Sequence, residues 1–274
     1  MKKILIPTDF STQAEKALEV AAKLAKKHHY ELHLLHVLDL PENDVDSLKN
    51  HSDIPEALYF MKLAQKRFEK LKSKPYLKGI TIHESVEFKN IFKGIYHACE
   101  KNNIDLIVMG SNGASGFKEI LIGSNTEKVV RTSDIPVLVI KKNHKNFDVK
   151  DFVFASDFKD ESIKPFKKAI KLAKMLKANL HLLMVITPNK FVNTTKAKHK
   201  IRSFIDKVKL KNYSINTYND STIEKGIVNF SKSISADLIG ISTHGRTGLS
   251  HFINGSISED LVNHVKRPVI TFKI

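Results

Sequence analysis

The sequence predicts an α/β protein built from two tandem copies of one domain, with strands and helices alternating along each copy. Three observations predict it. First, KKILIPTDFS at Lys2–Ser11 meets KDFVFASDFK at Lys150–Lys159, and LHLLHV at Leu32–Val37 meets LHLLMV at Leu180–Val185, both at an offset of 148 residues. Second, KGIYHA at Lys93–Ala98 meets KGIVNF at Lys225–Phe230 at an offset of 132. At that second offset Asp105, Gly123-Ser124 and Pro136-Val137 meet Asp237, Gly255-Ser256 and Pro268-Val269. The second copy is thus 16 residues shorter, and the loss falls between its second and third strands. Third, short continuous apolar runs alternate with amphipathic stretches. That pattern marks parallel strands buried on both faces, linked by right-handed crossover helices. The reading divides the chain into 1–146 and 147–274, joined through the polar, Lys-rich stretch Asn143–Asp148.

Each element of the first copy follows in order. Ile4-Leu5-Ile6 is the first strand, ending at Pro7-Thr8-Asp9. Ser11 is placed to cap the next helix, whose apolar stripe is Ala14, Ala17, Leu18, Ala21, Ala22 and Leu24. Leu32–Leu38 forms the second strand, Ile54–Leu71 a longer helix, and Ile80–Val86 the third strand. Ile91–Cys99 is helical, Ile104–Met109 is the fourth strand and Val137–Ile140 the fifth. The residues peculiar to the first copy, around Glu42–Asp53, read as a surface loop or as a lid over a ligand. In open parallel sheets, ligands lie at the carboxyl ends of the strands, where the winding reverses. That directs attention to the loops after the first and fourth strands.

Composition narrows the function. The 274 residues carry 45 Lys+Arg against 29 Asp+Glu, a net charge of +16. All the basic residues except Arg67, Arg131, Arg202, Arg246 and Arg267 are Lys, spread over helical stretches, and Trp is absent. Base readout leans on the planar Arg fork, so the charge reads as a solvated surface that can steer anions, and nucleic acid is not the expected partner. No apolar run reaches the roughly 18–20 residues of a membrane span. Met1-Lys2-Lys3 is followed by too short an apolar stretch for a signal peptide, and Cys99 stands alone, so a cytoplasmic location is expected.

The chemistry concentrates in the loop after the fourth strand: Gly110-Ser111-Asn112-Gly113, then Gly116, then Gly123-Ser124-Asn125-Thr126. Glycines let backbone approach a ligand. A helix beginning at Gly123-Ser124 would present unpaired N–H groups and partial positive charge, which suits phosphate. Ser124 and Thr126 add hydroxyl donors, and Asp9 ends the neighbouring first strand.

The spacing G-x2-G-x9-G-S resembles the nucleotide-binding signature of the universal stress protein family. KKILIPTDFS, HVLD and DIPVLVI resemble its opening strand, second-strand end and closing strand, and the whole chain resembles a tandem two-domain member. The resemblance implies two Rossmann-like domains of the adenine nucleotide alpha hydrolase type, each with a five-stranded parallel sheet. It also implies a stress-response role and, as in the family's ATP-binding branch, a nucleotide across the first and fourth strands. Pro7, Thr8, Asp9 and Val37 would then border adenine and ribose. The stretch from Met109 through Gly110, Ser111, Asn112 and Gly113 to Gly116 would wrap ribose and phosphates. Gly123, Ser124, Asn125 and Thr126 would hold the phosphates of ATP, ADP or AMP, with Mg²⁺ held through the phosphates. The family's closing-strand edge implies a pseudo-dimer of the two copies, and pairing between chains as a homodimer is plausible.

The second copy departs from the pattern: Ser242 stands at the first glycine and Ala155-Ser156 at Pro7-Thr8, while Asp157, Gly245, Gly248 and Gly255-Ser256 are retained and Arg246 is a new residue able to contact phosphate. It reads as a weaker nucleotide site or as a copy kept for packing. Cys99 reads as a buried, inert thiol; His33 and His36 read as packed or surface residues. His244, His251 and His264 match no metal spacing. No phosphate-binding loop of the GxxxxGK type, GxSxG elbow or kinase set is present, so any ATP hydrolysis or self-phosphorylation is expected to be slow. A nucleotide-free interaction scaffold is the remaining alternative.

Overall fold

The computed structural model describes residues 2–38, 54–111, 123–141, 147–208, 210, 212–243, 261, 265 and 267–274. The stretch 42–53 therefore lies outside the described residues, as do Asn112, Gly113, Gly116, Gly245, Arg246, Gly248, Gly255, Ser256, His244, His251 and His264.

The chain divides into two compact units. The first holds β1 (Lys3–Pro7), α1 (Thr12–His28), β2 (Glu31–Leu38), α2 (Ile54–Lys72), β3 (Ile82–Phe88), α3 (Ile91–Asn102) and β4 (Leu106–Gly110). It also holds the start of α4 (Ser124–Thr132). Its strands run parallel in the order β3-β2-β1-β4. From β1 the chain winds outward to β2 and β3, then returns to place β4 on the other side of β1. The winding therefore reverses between β1 and β4. Ser11 caps α1 as its sequence position predicts, its Oγ accepting from Ala14 N–H at 3.2 Å. Ala17, Leu18 and Ala21 of α1 are buried, as are Ile4, Leu5 and Ile6 of β1.

The second unit holds β5 (Val137–Ile140) up to Val139, β6 (Asp151–Ala155), α5 (Ile163–Leu176), β7 (Asn179–Ile186) and α6 (Thr194–Asp206). It continues with β8 (Tyr213–Asn219), α7 (Ile223–Ser233), β9 (Leu238–Thr243) and β10 (Val269–Lys273). Strands β10-β9-β6-β7-β8 are parallel, the same winding as in the first copy. Phe154 and Phe166 lie 5.2 Å apart, and Phe166 and Phe204 are also 5.2 Å apart, so an aromatic chain fills this core.

The sheet of the second unit is mixed, not purely parallel. β5 comes from the first sequence copy, yet it pairs antiparallel with β10, with Val139 opposite Val269 and Val137 opposite Thr271. All four residues of β5 are buried. An apolar strand with a bare edge would leave unpaired N–H and C=O groups, and the ladder to β10 supplies their partners.

The duplication extends to single hydrogen bonds. Asp105 Oδ2 accepts from Lys2 N–H at 2.7 Å, and Asp237 Oδ2 accepts from Lys150 N–H at 2.8 Å. Non-glycine residues with positive φ recur at the same offsets: Phe10 (62°) with Phe158 (52°), His29 (55°) with Lys177 (57°), and Asn103 (53°) with Ser235 (53°).

Candidate functional site

The site grows from the end of β1. The β1–β2 ladder continues past Pro7, because Thr8 N–H donates to the Leu35 carbonyl at 2.8 Å. Thr8 is buried, and its Oγ1 accepts from Phe10 N–H at 3.0 Å. Asp9 is exposed, and its Oδ1 accepts from Ser11 N–H at 3.0 Å. These two side chains close a tight turn that carries Phe10 at positive φ, a strained setting for a bulky residue. The Phe10 ring rests against Phe68 at 5.1 Å and His36 at 4.7 Å, with the Arg67 guanidinium 5.4 Å from its centroid.

His36, which the sequence reads as a packed or surface residue, packs under this turn. Its Nδ1 lies 2.8 Å from the Thr8 carbonyl, and since a carbonyl only accepts, Nδ1 carries the proton. Burial, and then the Arg67 charge, lower its pKa against the opposing pull of the Thr8 bond and Asp9. The neutral ring therefore acts as a fixed strut under the turn. A histidine inside a strand gives no sequence signal for that role.

β4 brings the second wall. Its register with β1 pairs Ile4 with Leu106 and Leu5 with Ile107, so the two strands run side by side toward their carboxyl ends. Met109 and Ser111 are buried. Ser111 N–H donates to the Ile140 carbonyl at 3.1 Å, and the Ser111 carbonyl accepts from Gly123 N–H at 2.7 Å. This second bond draws the two ends of the glycine-rich loop together and seats the start of α4 at the end of β4. The Gly123 carbonyl accepts from Glu127 N–H at 3.0 Å, which places Gly123 at the head of the helix. Ser124 and Asn125 are exposed there. Thr126 behaves differently: it is buried, and its hydroxyl donates to the Gly110 carbonyl at 3.0 Å. That proton is spent inside the fold, so Ser124 and Asn125 remain the first-turn side chains that face solvent.

Gly110 owes its identity to α1. A Cβ there would stand 2.7 Å from the Gln13 carbonyl oxygen and 3.2 Å from the Ala14 nitrogen. Gln13 is a residue that sequence reasoning missed, since a polar residue in a first helical turn reads as surface. Its Oε1 is buried with no hydrogen-bond partner among the described residues. Val37, half-buried at the end of β2, meets α3 at Gly94, where a Cβ would come within 3.0 Å of both Val37 methyls. Lys141 follows the carbonyl that holds Ser111, and burial pushes its ammonium pKa down to about 8.

In the second copy the first turn keeps its geometry. Ser156 Oγ accepts from Phe158 N–H at 3.0 Å, and Asp157 Oδ1 accepts from Lys159 N–H at 3.3 Å. A cleft of about 730 Å³ lies between this turn and α6, lined by Phe158, Lys159, His199, Lys200 and Phe204 among others. Among the described residues no helix is long and apolar enough to cross a membrane.

Two strand ends meeting where the winding reverses, with a helix start drawn against them, define a doubly wound α/β protein, a class in which the switch point is the usual place for a ligand. Over residues 1–141 and 149–273 the chain matches the Universal stress protein family, and it belongs to that family. It is 33% identical over 156 residues to a universal stress protein of Methanocaldococcus jannaschii, a match covering 52% of this chain and 96% of that protein. A universal stress protein of Synechocystis is 23% identical over 294 residues, covering 100% of both chains. The crystal structure of a universal stress protein from Archaeoglobus fulgidus superposes with a TM-score of 0.76 at 25% identity, covering 99% of this chain and 98% of that one. The tandem two-domain organisation thus recurs at full length.

Proposed function

We propose that the first copy binds an adenine nucleotide, ATP with Mg²⁺ held through its phosphates, and that the protein works as a nucleotide-dependent regulator. The observation that carries this reading is the Ser111–Gly123 bond, which seats the head of α4 at the end of β4, beside the Thr8-Asp9 turn. Backbone N–H groups at a helix start suit phosphate, and the exposed Ser124 and Asn125 add donors. Asp9, Pro7 and Val37 border the adenine and ribose end. Regulation follows only if ATP favours one conformation or partner-bound state over another. In the second copy Ser242 and Ala155-Ser156 replace the motif residues, and we assign that copy a packing role.

The test is the nucleotide content of purified protein, followed by Mg-ATP titration by calorimetry. One adenine nucleotide per chain, with binding abolished in Gly113→Val, supports the reading. No nucleotide and no heat at millimolar Mg-ATP would replace it with the scaffold reading. Two nucleotides per chain would overturn the packing role of the second copy.

A further inference from the structure

We propose that the first unit carries a second ligand site, for a divalent transition cation of the Zn²⁺ class, formed by Glu31, His33 and His83. The site lies at the amino-terminal starts of β2 and β3, the opposite end of the strands from the crevice. The parallel register sets His33 directly across from His83. Glu31 stands two residues before His33 and shares its face of the sheet.

The donor atoms converge. His83 Nε2 is 3.5 Å from Glu31 Oε2, His33 Nε2 is 3.9 Å from the same oxygen, and all three donor atoms lie within 4.8 Å of one another. The two imidazole centroids are 4.6 Å apart. Donors about 2.0–2.1 Å from a tetrahedral Zn²⁺ sit roughly 3.3–3.4 Å from each other. The Glu31–His83 pair needs little movement to reach that spacing, and the Glu31–His33 pair a few tenths of an ångström. Two imidazoles and one carboxylate form a borderline donor set suited to Zn²⁺, Co²⁺ or Ni²⁺, with positions left for water.

His33 supplies the independent observation. Its side chain is only 8% exposed, yet its Nε2 has no hydrogen-bond partner among the described residues. A buried ring nitrogen is normally satisfied. The second copy displays the satisfied version. There His181 holds Asp151 at 2.9 Å through Nε2 and Ser214 at 2.8 Å through Nδ1. Where that copy has Asp151, Asn179 and Ser214, the first has Lys3, Glu31 and His83. The carboxylate that would quench the histidine is gone, and two further donors surround it instead. His83 is exposed, so a cation can reach the site from solvent.

The test uses the full chain, stripped with chelator and free of nucleotide. ZnCl₂ is titrated by calorimetry, and CoCl₂ is followed by its visible absorption. The expected result is one saturable equivalent. The exposed His83→Ala and Glu31→Gln, each checked for parental circular dichroism, should weaken it by at least about tenfold, the smallest loss usual even for residues behind a metal's direct ligands. His97→Ala removes a half-exposed histidine that faces a glutamate, Glu87, at 3.1 Å, and should leave the affinity unchanged. Absence of saturable binding, or parental affinity in both His83→Ala and Glu31→Gln, would overturn the proposal.

Discussion

Gly110→Ala separates what this glycine does for the fold from what it does for a ligand. The added Cβ would stand 2.7 Å from the Gln13 carbonyl oxygen and 2.8 Å from its carbonyl carbon, where ordinary contact begins at 3.4 Å. The obstacle is backbone in the first turn of α1, not the flexible end of a side chain. The turn or the strand end must therefore retreat by about 0.7 Å. Overpacking of this kind costs about 1–3 kcal/mol, and a backbone obstacle argues for the upper half of that range. For a chain of this size each kcal/mol lowers Tm by about 2–4 °C, so a fall of roughly 4–12 °C is expected. Scanning calorimetry without nucleotide measures it, and hydrogen exchange should show the loss of protection concentrated in α1. A Tm within about 1 °C of the parent would refute the reasoning, because a position reserved only for a ligand costs nothing when the ligand is absent.

The double substitution Ser124→Ala, Asn125→Ala removes two exposed groups. It should weaken Mg-ATP binding by calorimetry while changing stability by no more than about 0.5 kcal/mol. His181→Ala tests the pair with Asp151. The His181 hydrogen bond holds the Asp151 carboxyl below its ordinary value, so its stabilisation is present above about pH 4 and is lost as pH falls through the folded-state value. The variant should therefore be less stable than the parent in urea at pH 6, with the gap narrowing in acid. Cys99 is buried, and burial pushes its pKa up to about 12. A disulfide reagent at pH 8 should leave the native thiol untouched and titrate one thiol per chain after denaturation.

The tandem α/β architecture was legible because duplication printed it twice. Both offsets recovered from the letters recur as paired positive-φ residues and as the twin Asp105 and Asp237 clasps. Strand positions shifted by a residue or two: β3 runs Ile82–Phe88 where the apolar pattern suggested Ile80–Val86. Hydrogen-bond register, not hydropathy, decides where a ladder begins. Ser11 was legible as a cap because its role is local. Thr126 was not legible as an internal fastener, since a hydroxyl in a helix's first turn can face a ligand or fold back on a carbonyl, and only the position of Gly110 decides between them. The Glu31–His33–His83 cluster escaped for a similar reason: Glu31 and His33 are near in sequence, but His83 joins them only through the β2–β3 register.

The pairing of β5 with β10 also sets a timetable. Val139 and its partner Val269 are 130 residues apart along the chain. At synthesis rates of about 5–20 residues per second, roughly 6–26 seconds separate their emergence from the ribosome. Throughout that interval the nascent first half carries an apolar strand whose eventual partner does not yet exist. The linkage of both copies in a single polypeptide therefore guarantees that the correct partner arrives, and makes the first half released alone the form of this protein most prone to pair with itself.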